Sequence, residues 1–394
     1  MRSNRWVILA VLVLARTAMG YQFQSIGSLS PLLIDEFGID FATLGVLIGL
    51  FMLPGIFISL PGGVLGNWLG DKRVALLGLA LMIAGGLLTA AGGDFDGATA
   101  GRILSGAGAV LLNVVMTKMV ADWFGEKQLV TAMSLLVTSW PLGIGLGLVS
   151  QGAIAAEFAW PAAMVVTSAL TAIAFALVWL TYTTPESARA VRTPARLLGG
   201  LSLREAFLVS VVGIIWMLFN VGFILVVSFT PTYLTESGAS VASAGFVTSL
   251  AMWITVLALP LGGLLVERTG RDTLIMLLSL FIMAAAMIAL PSVSILAMVV
   301  VVGFAAGPPA GAIMALATRV LRPENRNTGM GVYFTWYYAG MSALPFVAGF
   351  ARDASGKPEG PFIFGAALLV LCAMVVAIFD LSQRRRPDSR AGSV

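Results

Sequence analysis

Gly63-Val-Leu65-Gly-Asn67-Trp-Leu-Gly70-Asp-Lys72-Arg73 and, 200 residues later, Gly263-Leu-Leu265-Val-Glu267-Arg268-Thr-Gly270-Arg271 are two versions of one short glycine-rich, basic segment set between apolar runs. A charged turn between two apolar runs is what a helical hairpin shows at one face of a bilayer. Its recurrence points to a duplicated unit, and other matches fall at the same offset. Ser28, Pro31 and Gly38 meet Ser228, Pro231 and Gly238, and Gly62 and Gly63 meet Gly262 and Gly263. With a small shift, Thr131-Ala-Met133 through Gly143 meets Thr328-Gly-Met330 through Gly340.

Outward from these segments, apolar runs bounded by Gly, Pro and charge predict helices near 6–28, 43–66, 73–92, 98–120, 129–152 and 161–182, then near 206–230, 243–265, 273–291, 294–318, 328–350 and 361–381. Twelve spans of about 20 residues take roughly 240 positions of the 394, which leaves short connections and two tails. The composition agrees: 59% of residues are hydrophobic and 11% charged, with a mean hydropathy of +0.97, so a soluble globular domain is excluded. His is absent and Cys372 is the single cysteine. No intrachain disulfide, zinc site or Cys/His nucleophile can form, and no cofactor is expected. The fold expected is an all-α membrane protein of twelve transmembrane helices in two six-helix bundles. Residues 1–183 form the first, 184–204 a cytoplasmic linker, 205–382 the second, and 383–394 a cytoplasmic tail.

Orientation follows from the basic residues. With the N-terminus inside, 19 of the 23 Lys and Arg fall in cytoplasmic segments, while the outer loops hold Arg352 and Lys357 and carry Asp35, Glu36, Asp40, Asp94, Asp96 and Glu157. Both termini are therefore expected in the cytoplasm, with the protein in the inner membrane. Basic residues in short clusters rather than a stripe exclude a nucleic-acid partner. The partners expected are the lipid bilayer and a small-molecule anion, and the expected state is a monomer. A duplicated six-helix unit with an axis along the membrane normal places a substrate site between the halves near the midplane.

These features resemble the major facilitator superfamily over nearly the whole chain. The family's loop motif, roughly G-x-L-a-D-r-x-G-r-k, is matched by Gly63, Leu65, Asn67, Gly70, Lys72 and Arg73, and its repeat by Gly263, Leu265, Glu267, Arg268, Gly270 and Arg271. Arg102-Ile-Leu-Ser-Gly106-Ala-Gly108 resembles the family's fourth-span motif R-x-x-x-G-x-G. The resemblance implies transport, and cytoplasmic gating by the two loop motifs, with Asn67 standing where the family usually has Asp. Trp140-Pro141-Leu-Gly143-Ile-Gly145 lacks the pattern of drug/proton antiporters. The overall look is closest to cyanate, nitrate/nitrite and organic-anion permeases.

Within the membrane the residues single out Arg16. It lies about 15 Å into the first span at 1.5 Å per residue. An arginine there costs on the order of 2.5–3.5 kcal/mol on insertion scales and stays charged, so it must face a wet cavity or a partner. Gly20 and Gly27 leave room on its face, and Tyr21 and Gln24 add hydrogen-bonding groups. Arg102, beside Asp94 and Asp96, reads as a snorkelling or gating residue or a second anion ligand. Asn113 shares its face deeper down, while Lys118 has Asp122 one turn on. Trp216 occupies the repeat position of Arg16, with Asn220 a turn beyond. Tyr333 and Tyr337, spaced i and i+4, share a face of a span that also holds Trp336 and Tyr338. The candidate substrate site is thus Arg16, Tyr21, Gln24, Asn113, Trp216, Asn220, Tyr333 and Tyr337.

No carboxylate falls at mid-depth, where proton-driven sugar and cation carriers place their relay, and His is absent. The expected function is a secondary carrier of a small anion, either nitrate, nitrite or cyanate, or a short carboxylate, operating by exchange. A drug or sugar exporter with a neutral aromatic pocket is the alternative within transport, and a membrane ligand sensor the alternative outside it. An enzyme is not expected, since no nucleophile–base pair or metal set appears.

Overall fold

A computed structural model describes residues 4–124, 126–185, 201–290, 293–322 and 325–384. Most of the expected linker, including Arg189, Arg192 and Arg196, lies outside the described residues, as does nearly all of the expected tail. Ten described helices are long and apolar enough to cross a membrane. Asp272–Ile288 is a shorter apolar helix, and Arg326–Ser355 is long but more polar, carrying Thr328, Tyr333, Thr335, Tyr337 and Tyr338. Counted together they are the twelve spans expected.

The first half holds spans at Arg5–Phe37, Phe41–Leu50 with Pro54–Leu69, Asp71–Gly92, Phe95–Trp123, Glu126–Phe158 and Trp160–Thr181. The second holds Leu203–Glu236, Val241–Thr269, Asp272–Ile288, Ile295–Ala305 with Gly307–Val320, Arg326–Ser355 and Gly360–Arg384. Several run past the expected ends. The first was expected to stop near 28, yet continues through Pro31 to Phe37, and the seventh continues through Pro231 to Glu236. A proline removes one helical hydrogen bond without ending a helix whose turns are packed on both sides. The second and tenth spans, expected to be continuous, are each broken. Pro54 opens the lower helix of the second, and Pro308 with Pro309 opens that of the tenth, at the first-turn positions where proline fits.

The repeat matches have a backbone cause. Gly38 ends the first span with φ 59° and Gly238 follows the seventh with φ 92°; Gly70 and Gly270, in the two basic loops, have φ 88° and 62°. Left-handed backbone at equivalent turns favours glycine in both copies. Side-chain caps fix six of the starts: Asn4, Asp40, Asp94, Ser202, Ser240 and Ser294 each accept from a first-turn amide of the following helix.

The halves meet most closely at the face where the first span ends. A methyl group at Gly49 or Gly45 of the second span would overlap the carbonyls of Ser342 and Pro345 in the eleventh, and one at Gly245 of the eighth would overlap Leu148 of the fifth. Asp353, at the end of the eleventh span, accepts from the Phe41 and Ala42 amides at 3.2 and 2.8 Å. Arg352 stacks on the Phe41 ring, 4.8 Å from its centre, and pairs with Glu236 at 2.9 Å.

Candidate functional site

Arg16 lies about a third of the way along the 33-residue first span, half-buried, and its Nε has no hydrogen-bond partner. None of the ion pairs among the described residues involves it. The groups within its electrostatic range are the phenols of Tyr337 and Tyr338, from the eleventh span of the other half. Both tyrosines stand at the centre of an aromatic cluster. Trp216 of the seventh span stacks on Tyr333 with ring centres 6.1 Å apart at 25°, and reaches Tyr337 at 6.4 Å. Tyr337 and Tyr338 meet edge to face at 5.2 Å. The repeat position of Arg16 therefore holds the indole that backs the site from the second half.

Asn113 joins this group from the fourth span, its Nδ2 donating to the Tyr338 hydroxyl at 3.4 Å across the two halves. Tyr338, the member that the i, i+4 reasoning passed over, packs its ring against Gly55 just below the break in the second span. Asn220 is half-buried and returns its Nδ2 to the Trp216 carbonyl, 2.7 Å away on its own helix. Trp336 lies against Gly213 of the seventh span and is 40% exposed.

Tyr21 and Gln24 lie elsewhere. The Tyr21 hydroxyl shares a hydrogen bond of 2.7 Å with Ser150 of the fifth span. The Gln24 amide donates to the Val227 carbonyl of the seventh at 3.4 Å. They tie the first span to its neighbours rather than pointing at Arg16. Gly20 and Gly27 do likewise: the room expected beside the guanidinium is filled by the fifth span at Trp140 and Gly143, and by Ser228 of the seventh.

Arg102 is 2% exposed. Instead of snorkelling towards Asp94 and Asp96, its guanidinium turns inward. It donates to the carbonyls of Gln22 and Phe23 in the first span, at 3.0 and 3.1 Å, and of Leu47 and Ile48 in the second, at 3.2 and 3.4 Å. Its remaining contacts are Ser25 at 3.5 Å and the Phe51 ring, 4.7 Å from the cation. Leu47 and Ile48 end the upper helix of the broken second span, where carbonyls lack intrahelical donors. Arg102 supplies those donors.

In the loop motifs, Arg73, Glu267, Arg268 and Arg271 are exposed, and Gly263 has open space beside it. The side chains of Gly63 and Asn67 lie outside those described. Lys118 pairs with buried Asp71 rather than directly with Asp122, and Arg319 pairs with Asp272 at 2.7 Å. Both partners of the second pair lie 201 residues after those of the first, a repeated acid–base pair that a search of the offset for charge would have found. Glu205 accepts from Ser202, the Arg322 amide and Asn325, fastening the start of the seventh span to the segment before the eleventh. Among the described residues the carboxylates sit near helix ends, and none approaches Arg16.

Known proteins match this architecture. The 3-(3-hydroxy-phenyl)propionate transporter of Escherichia coli (strain K12) is 26% identical over 386 residues, covering 93% of this chain and 91% of its own length. The 4-hydroxybenzoate transporter PcaK of Pseudomonas putida is 26% identical over 376 residues, covering 83% and 81%. The crystal structure of a D-xylose-proton symporter superposes with a TM-score of 0.77 at 16% identity over 95% of this chain and 97% of that one, a likeness of fold alone. The Major Facilitator Superfamily model matches residues 12–243 and 214–393. Two six-helix halves, a duplicated basic loop and a family match over nearly the whole length place this chain in the major facilitator superfamily, as a membrane transporter and not an enzyme.

Proposed function

We propose that this protein carries an aryl carboxylate across the inner membrane by alternating access between its two six-helix halves. The observation that carries the reading is Arg16, a mid-span guanidinium with no carboxylate partner that faces tyrosines of the opposite half. An arginine offers a carboxylate two parallel N–H donors. The rings of Trp216, Tyr337 and Tyr338 offer apolar faces on which an aromatic ring stacks. The sequence alone allows nitrate, nitrite, cyanate or a short carboxylate. None of these fills an aromatic cluster, whereas an aryl acid uses both the cation and the rings. The names of the two relatives, both transporters of hydroxylated aromatic acids, favour the same class over a drug or sugar.

The carrier works by exchange. When the site closes at both faces the effective dielectric around Arg16 falls, and an unpaired charge there is costly by several kcal/mol. A bound carboxylate neutralises it. Each 1.4 kcal/mol slows return of the empty carrier about tenfold, and no mid-span carboxylate or histidine is at hand to reset the charge by protonation. Both chain ends and the linker lie in the cytoplasm, so the face closed by Gly49 and Asp353 is the outer one. The transporting unit is the monomer.

Proteoliposomes loaded with unlabelled 4-hydroxybenzoate should take up the labelled acid many times faster than empty vesicles. Equal rates would refute exchange, and failure of a panel of aryl carboxylates to bind or move would refute the substrate class. On intact cells, a cysteine at Ser355 should react with an impermeant thiol reagent and one at Ser187 should not; the reverse pattern would invert the orientation.

A further inference from the structure

Two hydrogen-bonding groups in the aromatic cluster have no partner. Trp216 Nε1 and Tyr333 Oη are both buried and both unsatisfied, and their rings are stacked 6.1 Å apart. Tyr333 is 0% exposed, and its aromatic neighbours, Trp216 and Phe334, offer faces rather than acceptors. In a helix bundle surrounded by lipid, an indole N–H and a phenol left unpaired are unfavourable unless something else accepts from them. Two other buried tyrosines of this chain have partners, Tyr21 with Ser150 and Tyr338 with Asn113, while the hydroxyl of Tyr182, at the end of the sixth span, is unpaired like that of Tyr333. What sets Trp216 Nε1 and Tyr333 Oη apart is their place: they adjoin Tyr337, whose ring lies 6.4 Å from that of Trp216 and whose phenol interacts with the Arg16 charge.

We infer that Trp216 Nε1 and Tyr333 Oη form a second polar subsite, on the seventh and eleventh spans, that recognises an oxygen substituent on the substrate ring at the end away from the carboxylate. The inference rests on the reading that Arg16 holds the carboxylate. The indole can only donate, so the group recognised must accept; the phenol can donate or accept. A ring hydroxyl meets both requirements, accepting from Trp216 and exchanging a hydrogen bond with Tyr333. An unsubstituted ring meets neither and leaves both protein groups desolvated and unpaired. A site built to bond a hydroxyl discriminates more sharply than one built only to enclose apolar bulk. Arg16 selects for charge, the rings for flatness, and this pair selects among aromatic acids.

The test compares benzoate with 4-hydroxybenzoate, and 3-phenylpropionate with 3-(3-hydroxyphenyl)propionate, for binding to the purified full-length protein by titration calorimetry. The native protein should bind the better-fitting hydroxylated acid at least tenfold more tightly than its unsubstituted counterpart. Tyr333→Phe, which keeps the ring, and Trp216→Phe, which removes the N–H, should each bring that ratio towards one. They should do so by weakening the hydroxylated acid alone. Thermal unfolding of each variant establishes that it is folded. If the native protein binds both members of each pair equally, or if Tyr333→Phe weakens both members alike, the subsite is refuted while the carboxylate reading stands. If no member of either pair binds, both fall together.

Discussion

Arg102 and Arg16 are the two arginines of the first half that lie more than a turn inside their spans, and they are held in opposite ways. Around Arg102, four backbone carbonyls, a hydroxyl and an aromatic face account for the whole guanidinium. Arg16 Nε has no hydrogen-bond partner, and the ionisable groups that act on its charge are phenols of the opposite half, Tyr338 and Tyr337. Burial alone does not distinguish a structural arginine from a binding one, since both are shielded from bulk water. What distinguishes them is whether the donors are matched by the protein itself. A matched cation holds helices together; on the function proposed here, an unmatched one between the two halves is completed by the substrate.

The sharpest way to break this contrast is to remove each cation in turn. Arg102→Ala orphans the carbonyls of Leu47 and Ile48 at the break of the second span and releases the first span from the fourth. Leaving a buried acceptor unsatisfied costs about 1–3 kcal/mol for each group, so apparent thermal stability in detergent should drop strongly. An Arg102→Ala protein with native melting would remove the structural half of the contrast. Arg16→Ala should leave melting close to native, because deleting an unpaired charge also deletes its desolvation penalty. Its affinity for aryl carboxylates should fall about a hundredfold, on the order of 2.7 kcal/mol. Arg16→Lys keeps the charge without the planar fork and should recover only part of it. Native affinity in folded Arg16→Ala would place the carboxylate elsewhere.

The two arginines also mark how far the sequence could be read. Twelve spans, the duplication and the exceptional place of Arg16 are legible because hydropathy and periodic identity record them directly. Gly38 with Gly238, and Gly70 with Gly270, recur because the same left-handed turn is required twice. Arg102 was half legible: its depth showed, but its partners are carbonyls, which every residue owns and no sequence advertises. Tyr21 and Gln24 misdirect for a related reason. Polar side chains in a span serve helix contacts as readily as ligands, and only the neighbouring helix tells which. Tyr338 was hidden by helical spacing, since Tyr333 and Tyr337 form the obvious face, and the Tyr338 partner Asn113 is 225 residues away.

A smaller effect belongs to the face where the halves close. The first helix of the second span has its amides capped from two sides: Asp40 accepts from Thr43 at 2.8 Å, and Asp353, from the other half, takes Phe41 and Ala42. On the proposed alternating-access cycle, the Asp353 bonds break when this face opens and the Asp40 bond need not. A cap of this kind is worth about 1 kcal/mol, which corresponds to roughly a fivefold change in the ratio of closed to open forms. Asp353→Ala should therefore raise the labelling rate of a cysteine at Ser342 about fivefold, and Asp40→Ala should leave it near native. Equal effects from both would mean that capping strength, not the bond between halves, sets the equilibrium.

The smallest expected effect tests how far the contrast between matched and unmatched groups extends into the site. Tyr338 is a matched group: its hydroxyl accepts from Asn113 at 3.4 Å, a long and neutral hydrogen bond, while its ring is wedged against Gly55. Tyr338→Phe keeps the ring and loses the hydroxyl, so the packing at the break of the second span survives and Asn113 relaxes towards water in the site. A neutral hydrogen bond of this sort contributes about 0.5–1.5 kcal/mol, and part of that is returned by hydration of Asn113. Affinity for an aryl carboxylate should therefore change by less than about fivefold, well below the loss in Arg16→Ala. If Tyr338→Phe instead matched Arg16→Ala, the Tyr338 hydroxyl would be a direct ligand of the carboxylate. A partner within the protein would then be no guide to which polar groups of this bundle bind substrate.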